Sequence, residues 1–155
     1  MTPGNEFSYE SDAVPPGAIF VAMGECALIF PSAAAGQKLL KASDVEDGLC
    51  RCAFGPNGEP YRIVCEGNRV LISRTGESSQ PDDLRALLLQ HLEACEDPAD
   101  ATQPLDEIVA IAWSIERNFC LRNDPYGDRS QPHVLMLGGI VFLLGLGALW
   151  YFGLR

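Results

Sequence analysis

The C-terminal end of the chain most restricts its fold, because residues 134–154 form a run of twenty-one uncharged residues. As a helix this run would be roughly 31 Å long, which matches the hydrocarbon thickness of a bilayer. A helix within a soluble domain is seldom apolar on every side over such a length. We therefore predict a single membrane anchor over 134–154, with a core helix of a soluble domain as the alternative. Its anchoring positions are Val134, Leu135, Ile140, Phe142, Leu144 and, near the headgroup boundary that aromatic residues favour, Trp150 and Tyr151.

The N-terminal end carries no competing membrane signal. Residues 1–12 contain three acidic residues, no Lys or Arg and no apolar run, which is unlike a signal peptide. A membrane segment that emerges last predicts a tail-anchored, single-pass protein with residues 1 to about 130 in the cytoplasm, and a bacterial inner membrane is favoured. Arg117, Arg122 and Arg129 precede the span whereas Arg155 alone follows it, in agreement with the positive-inside rule.

Composition limits what the remaining residues do. They suffice for one compact domain, and the formal charge of −10 becomes −11 once Arg155 is assigned to the anchor. Such an acidic surface argues against nucleic-acid binding, because phosphates require Lys and Arg. It favours a basic protein partner, although solubility alone would also explain it.

The chain divides into four predicted parts. They are a flexible N-terminal arm over 1–16, an α+β domain over 17–120, a juxtamembrane linker over 121–133 and the anchor over 134–154. Within the domain, the apolar runs 18–23 and 26–30 flank Gly24-Glu25 and predict a β-hairpin covered on both faces. Ser32 then predicts the cap of a short helix over 33–41, followed by an acidic turn over 43–48.

Residues 50–74 predict a three-stranded antiparallel meander. If Asn57-Gly58 is a two-residue turn, Phe54 faces Tyr61 and Cys50 faces Cys65. Cys50, Cys52 and Cys65 would then share one face of the sheet, and a second turn at Gly67-Asn68 would add the third strand.

Two longer helices complete the predicted domain. Ser79 is expected to cap a helix over 82–95, and Pro104 to open a helix that ends at about Cys120. The fold class is therefore α+β: an antiparallel sheet built from a hairpin, a short helix and a meander, packed with two helices and followed by one C-terminal transmembrane helix. The predicted apolar stripes are Leu84, Leu87, Leu88, Leu92 and Cys95 on the first helix, and Leu105, Ile108, Ile111, Ala112, Ile115 and Phe119 on the second. Val109 and Trp113 form a neighbouring strip on the second helix, either additional core or a docking surface.

Groups suited to catalysis or metal binding are few. His91 is expected to be a partly exposed helix residue, and neither it nor His133 has the spacing of a metal ligand. The three meander cysteines allow a zinc site with Cys26 or Cys95, a redox pair between Cys50 and Cys65, or simple core filling, which we favour. We expect no enzymatic activity, no cofactor and no metal.

Acidic side chains crowd the loops around the meander and are the expected contacts for a basic partner. They are Asp44, Glu46, Asp47 and Glu59, with Tyr61 or Trp113 as buried anchors of the interface. A Ca²⁺ site is the alternative, but the twelve-residue ligand pattern of an EF-hand is absent.

Residues 30–63 also follow a distinctive order. Phe30-Pro31-Ser32 is followed by segment 33–40, then 42–48 (ASDVEDG) and 53–63 (AFGPNGEPYRI), with a later strand and a Pro-Asp-Asp-Leu helix. Over residues 18–93 this order resembles small bacterial immunity-type proteins, which are encoded beside secreted polymorphic toxins and protect the producing cell. The resemblance implies stoichiometric inhibition, in which the acidic domain binds a toxin domain and covers its active surface.

The predicted function is thus a non-enzymatic, membrane-tethered immunity protein that neutralises a toxin effector at the cytosolic face of the membrane. One alternative is a tail-anchored adaptor or assembly factor that joins a larger membrane complex. A third hypothesis is a redox protein or enzyme that uses Cys50, Cys52 and Cys65.

Overall fold

The computed structural model describes Tyr9 and residues 11–123, and these residues form a layered α+β domain. Five strands make one antiparallel sheet in the order β2-β1-β3-β4-β5, which confirms the predicted α+β class. The strands are β1 (Ile19–Met23), β2 (Cys26–Phe30), β3 (Cys50–Phe54), β4 (Pro60–Glu66) and β5 (Arg69–Arg74). The helices of this region are α1 (Ala33–Leu39), α2 (Ala42–Glu46), α3 (Pro81–Ala94) and α4 (Leu105–Asn123).

The predicted anchor over 134–154 lies outside the described residues. Among the residues that are described, no helix has both the length and the apolar character needed to cross a bilayer. Helix α4 does continue to Asn123, so it occupies the first residues of the predicted linker over 121–133.

Two of the three hairpins form as predicted. Met23 pairs with Cys26 across Gly24-Glu25, and Glu66 pairs with Arg69 across Gly67-Asn68. Gly24 and Gly67 have φ values of 62° and 59°. A two-residue hairpin turn needs a positive φ at its first position, which glycine adopts without a steric cost.

The predicted register of the third hairpin, between β3 and β4, was wrong by one residue. Ala53, not Phe54, pairs with Tyr61. The loop contains three residues, Pro56-Asn57-Gly58, because the Gly55 amide donates to the Glu59 carbonyl (2.7 Å) and the Gly58 amide donates to the Gly55 carbonyl (3.0 Å). With a loop that is one residue longer, a side chain of β4 shares a face with a different residue of β3 from the one predicted.

A β-bulge in β3 separates cysteines that were expected to lie together. Val21 pairs with Ala53 but Met23 pairs with Cys50, so residues 51 and 52 both lie opposite Ala22. The extra residue places Cys50 and Cys52 on opposite faces of the sheet. The predicted cluster of three sulfurs on one face is therefore wrong.

Helices α1 and α2 cover one face of the sheet. The side chain of Ser32 accepts a hydrogen bond from the Ala35 amide (3.1 Å), which confirms it as the cap of α1. Gly36 lies so close to Ile19 and Ile72 that an added Cβ would be 2.8 and 2.9 Å from their Cδ1 atoms. The expected acidic turn after α1 is instead the short helix α2, which packs on β4.

Helix α3 packs on β2 at the other face, and α4 packs on α3. Helix α3 begins at Pro81 without a side-chain cap, because the predicted cap Ser79 donates its hydroxyl to the Asn57 carbonyl instead. The buried stripe of α4 is rotated from the predicted one, since Phe119 is 52% exposed. Its buried residues are Ile108, Val109, Ala112, Trp113 and Cys120.

Residues 1–16 were expected to form a flexible arm, but Tyr9 within this segment is buried against the domain. Its ring stacks on Trp113 with centroids 5.4 Å apart and planes 13° apart, and its hydroxyl donates to the Ile29 carbonyl (3.1 Å). The Trp113 indole donates to the Ser11 carbonyl (3.2 Å), and Asp12 pairs with Arg117 (2.8 Å). Aromatic stacking and these polar contacts fix the segment on α4.

Candidate partner-binding surface

The predicted contact residues divide into three that lie together and three that do not. Asp44, Glu46 and Asp47 lie on α2 and its C-cap, where Asp44 is half-buried and the other two are exposed. A five-residue helix places these carboxylates within two turns of one another. Among the described residues, neither Glu46 nor Asp47 takes part in a salt bridge.

Leu49 lies directly beside these acids and was not predicted as a contact residue. It is 46% exposed, although it precedes a strand whose first residue, Cys50, is buried. Gly48, with a φ of 70°, reverses the chain between α2 and β3 and leaves Leu49 on the surface. A hollow of about 310 Å³ lies there, lined by Ala22, Gly24, Gly48 and Leu49.

We call this feature the α2 surface and define it by Glu46, Asp47, Leu49 and the adjoining hollow. It combines free carboxylates with one exposed apolar side chain at a concave site. Such an arrangement suits a basic protein surface with an apolar residue that inserts into the hollow.

Glu59 is occupied within its own loop and is not a free contact residue. Its carboxylate accepts hydrogen bonds from the Asn57 amide and from the Asn57 side chain, both at 3.0 Å. Partial burial acts to raise the pKa of Glu59, but these hydrogen bonds outweigh it and the pKa lies below its usual value. The carboxylate therefore stabilises the β3–β4 loop.

The two predicted aromatic anchors are less accessible than expected. Trp113 is fully buried beneath Tyr9, so a partner does not reach it while the N-terminal segment is in place. Tyr61 is half-buried in β4, and its partner in β3 is Ala53.

A groove of about 740 Å³ lies on the sheet face opposite α2, and the sequence did not predict it. Helix α3 packs on β2, which lies at the opposite edge of the sheet from β5. This face of the sheet is therefore left open over β4 and β5. Arg62 and Ser73 are exposed there, and Cys52 is half-buried. The groove is lined by Cys52, Ala53, Phe54, Pro60, Tyr61, Arg62, Ile63, Ser73, Arg74, Thr75, Glu77 and Gln80.

The meander cysteines favour the protonated form. Burial raises the pKa of Cys50, with a further contribution from the Asp44 carboxylate, and burial raises the pKa of Cys52, with a contribution from Asp83. Desolvation, and after it the Glu46 carboxylate, also raises the pKa of Cys65. The Cys65 thiol donates a hydrogen bond to the Ala42 carbonyl (3.4 Å). A thiol in this state is a poor nucleophile and metal ligand. Within the described part of the chain, no group of three or more His, Cys, Asp or Glu is arranged to hold a metal ion.

His91 was expected to be partly exposed, and this prediction was wrong. It is 6% exposed, and its Nδ1 accepts a hydrogen bond from the Ala27 amide (3.2 Å). Burial lowers the pKa of His91, so the ring is neutral at pH 7 and carries its proton on Nε2. The residue pairs with an outward amide of the edge strand β2.

Comparison with known proteins adds no relative to this description, since no family model, curated protein or solved structure matches the chain.

Proposed function

We propose that this chain is a non-enzymatic binding protein, tethered by residues 134–154 at the cytosolic face of a bacterial inner membrane, and that it acts as an immunity protein against a toxin effector. The observation that supports this proposal is the α2 surface. There an apolar side chain, Leu49, is 46% exposed beside carboxylates that no salt bridge within the described residues engages.

The charge of the α2 surface favours a cationic partner. Glu46 and Asp47 are exposed, so their attraction for Lys and Arg acts through water and is screened by salt. Charges of this kind mainly raise the rate of encounter and exclude acidic partners. An inhibitor that must reach its toxin before the toxin acts benefits from fast association.

The affinity would come from the apolar part of the same surface. Interfaces concentrate their binding energy in a few residues that become fully desolvated, whereas rim charges contribute little. Leu49 and the hollow beside it supply one such position. The toxin would then contribute an apolar side chain surrounded by basic residues.

The direct test is affinity capture from the native cell extract with the tagged full chain in mild detergent, at two salt concentrations. The wild-type chain should retain one basic polypeptide near one-to-one, and less of it at high salt. The double variant Glu46→Lys/Asp47→Lys should retain at least about tenfold less. The recovered polypeptide, expressed alone, should arrest growth, and co-expression of the chain should restore it.

A matched control uses Glu77→Lys/Glu107→Lys, which makes the same change in net charge at two exposed residues away from α2. This variant should retain the partner as the wild type does. Equal loss in both double variants would mean that net charge alone explains binding. A captured polypeptide without toxicity would exclude immunity while leaving a binding function.

A second function, that of a membrane adaptor, is favoured by the outer side of α4. Ile111 and Ile115 are half-buried and Phe119 is exposed, at a spacing that places them on one side of the helix. An adaptor would co-purify with integral membrane proteins. That association would be lost in Phe119→Lys or when 134–154 is replaced by an unrelated anchor, and it would survive Glu46→Lys/Asp47→Lys.

A further inference from the structure

The last turn of α4 carries two large apolar side chains that the domain does not cover. Phe119 is 52% exposed and Leu121 is 53% exposed. Within the described residues, Leu49 of the α2 surface is the only other large apolar side chain exposed to this degree. A single exposed apolar residue is common on a protein surface, but two within one helical turn indicate an interaction site.

The two side chains project from different sides of the helix. Successive residues of an α-helix are about 100° apart, so Phe119 and Leu121 point in directions about 160° apart. Cys120, between them, is buried and faces the domain. A partner helix covers one side of a helix, whereas a fluid lipid surface that the helix enters end-on covers both sides.

The polar residues of this turn suit the headgroup region of a bilayer. From residue 117 to residue 123 no side chain is acidic, although the formal charge of the chain is −10. Arg117 pairs with Asp12, and Arg122 is exposed in the last turn of the helix. An arginine keeps its charged head with lipid phosphates while its stem and its apolar neighbours lie deeper.

The length of chain beyond α4 limits the distance between this turn and the proposed anchor. Helix α4 ends at Asn123 and the uncharged run begins at Val134, so residues 124–133 connect them. Even fully extended, this connection reaches at most about 40 Å. A tether of that length raises the effective concentration of the lipid surface at the end of α4, so a few apolar contacts suffice for binding.

We propose that the last turn of α4, defined by Phe119, Leu121 and Arg122, docks end-on into the headgroup region of the bilayer. This inference rests on the membrane tether of the proposed function and adds a second, reversible contact between the domain and lipid. Phe119 and Leu121 would lie at the boundary between headgroups and acyl chains, with Arg122 at the lipid phosphates.

Docking at this end would hold the opposite end of the helices away from the bilayer. The Arg85 side chain, near the start of α3, donates to the carbonyls of Ala101 and Gln103, which lie just before α4. The two helices therefore begin at the same end of the domain. Helix α4 has 19 residues and is about 28 Å long, so Ser78, exposed just before α3, would stand clear of the lipid.

The test places a fluorescent reporter at the turn, in the full chain reconstituted into vesicles of phosphatidylcholine and phosphatidylglycerol. In a Trp150→Phe background, which retains the buried Trp113, Phe119→Trp and Leu121→Trp each add one indole. A share of the lipids carries a quencher near the headgroup. Both reporters should be quenched at least about threefold more than the control Ser78→Trp, and their emission should lie at shorter wavelength.

A further variant weakens the lipid contact without moving the reporter. Phe119→Gln/Arg122→Gln, made in the Leu121→Trp chain, should lower the quenching at position 121 towards that of the Ser78→Trp control. Diluting the Leu121→Trp chain about tenfold in lipid should leave its quenching unchanged, because contact with lipid requires no second copy.

Resistance to alkaline carbonate is measured on the same vesicles. A chain that resists carbonate but is quenched equally at positions 78, 119 and 121 would overturn the docking and leave the anchor intact. Release by carbonate would remove the tether, and the docking with it. Quenching that falls on dilution would show that a second copy covers the turn, which would also overturn the inference.

Discussion

Two buried polar side chains engage backbone groups of β2, the outer strand at one edge of the sheet. His91 accepts from the outward amide of Ala27, and Tyr9 donates to the outward carbonyl of Ile29. Such groups have no partner within the sheet, and a buried backbone group without a hydrogen bond costs about 1–3 kcal/mol. Each of the two side chains therefore performs a structural task that a hydrophobic residue at its position could not.

His91 makes stability depend on pH. Burial lowers the pKa of His91 in the folded chain below its value in the unfolded chain, so unfolding takes up a proton. The contribution of neutral His91 is complete above its unfolded pKa of about 6.5 and is lost as the pH falls towards the folded pKa. Urea titrations should therefore give a lower free energy of unfolding at pH 5.5 than at pH 7.5.

The variant His91→Asn isolates this effect. Its Oδ1 takes the place of the histidine Nδ1 and can accept the hydrogen bond from the Ala27 amide, but it does not titrate, so its curve should be flatter between these two pH values. Glu116, whose pKa burial raises, remains in both proteins and cancels in the comparison. Parallel pH curves for the two proteins would show that His91 is not the titrating group.

Gly58 occupies a position where a side chain would be strained. Its φ is 82°, and an added Cβ would lie 2.6 Å from the Pro81 nitrogen and 2.8 Å from the Gln80 carbonyl oxygen. We expect Gly58→Ala to lower the free energy of unfolding by about 3 kcal/mol, through backbone strain and collision with main chain that cannot move aside.

The matched control for this prediction is Gly76→Ala. Gly76 has nearly the same φ, 79°, but no atom lies within 4 Å of an added Cβ. It should cost about 1 kcal/mol, the strain term alone. Equal losses for both variants in urea denaturation would show that the close approach at Gly58 has no energetic effect.

At the scale of elements, local chemistry made some features predictable and left others open. The turns at Gly24 and Gly67 follow from glycine's access to positive φ, and Ser32 caps α1 as its sequence position indicates. The β3–β4 register was not predictable in this way, because Pro56-Asn57-Gly58 fits a two-residue and a three-residue loop equally well. The bulge in β3 depends on its pairing with β1, which no local pattern records.

Tyr9 attaches the N-terminal segment to the domain through its contacts with Trp113 and Ile29. Replacing Tyr9 by Ala removes the stack on Trp113 and the bond to Ile29, and should lower the free energy of unfolding by about 3 kcal/mol. The emission of Trp113, followed in a Trp150→Phe background, should shift to longer wavelength as the indole meets water.

Tyr9→Phe provides the control, because it keeps the ring and removes the hydroxyl. It should cost about 1 kcal/mol and leave the emission unchanged. If Tyr9→Ala were no more destabilising than Tyr9→Phe, the stack would contribute nothing and the segment would be held by its polar contacts.

At the scale of the whole molecule, the class of fold was easier to predict from the sequence than the composition of the α2 surface. The three acids of α2 lie together because they are close in sequence, so their grouping was visible beforehand. Leu49 is exposed because of the turn at Gly48, and Glu59 is engaged by Asn57 in the β3–β4 loop. Trp113 is covered by Tyr9, which is distant in sequence, so this contact exists only in the folded chain.

The proposed anchor over residues 134–154 gives the prediction that concerns the entire chain. The full chain should stay with the membrane fraction after washes with high salt and with alkaline carbonate, because a span of twenty-one uncharged residues is held by the hydrophobic effect. A chain ending at Asn123 should be found in the supernatant. Release of the full chain by carbonate would exclude a transmembrane segment.

Side chains engage outward backbone groups of both outer strands, and this has a consequence for the membrane-tethered chain that we propose. His91 and Tyr9 occupy outward groups of β2, and the Gln37 side chain of α1 accepts the Ile72 amide of β5 (3.2 Å). Proteins tethered to a bilayer collide far more often than the same number in free solution. An open strand would then recruit its neighbours into a growing ribbon, and side chains bound to outward groups at both borders of this sheet oppose such pairing.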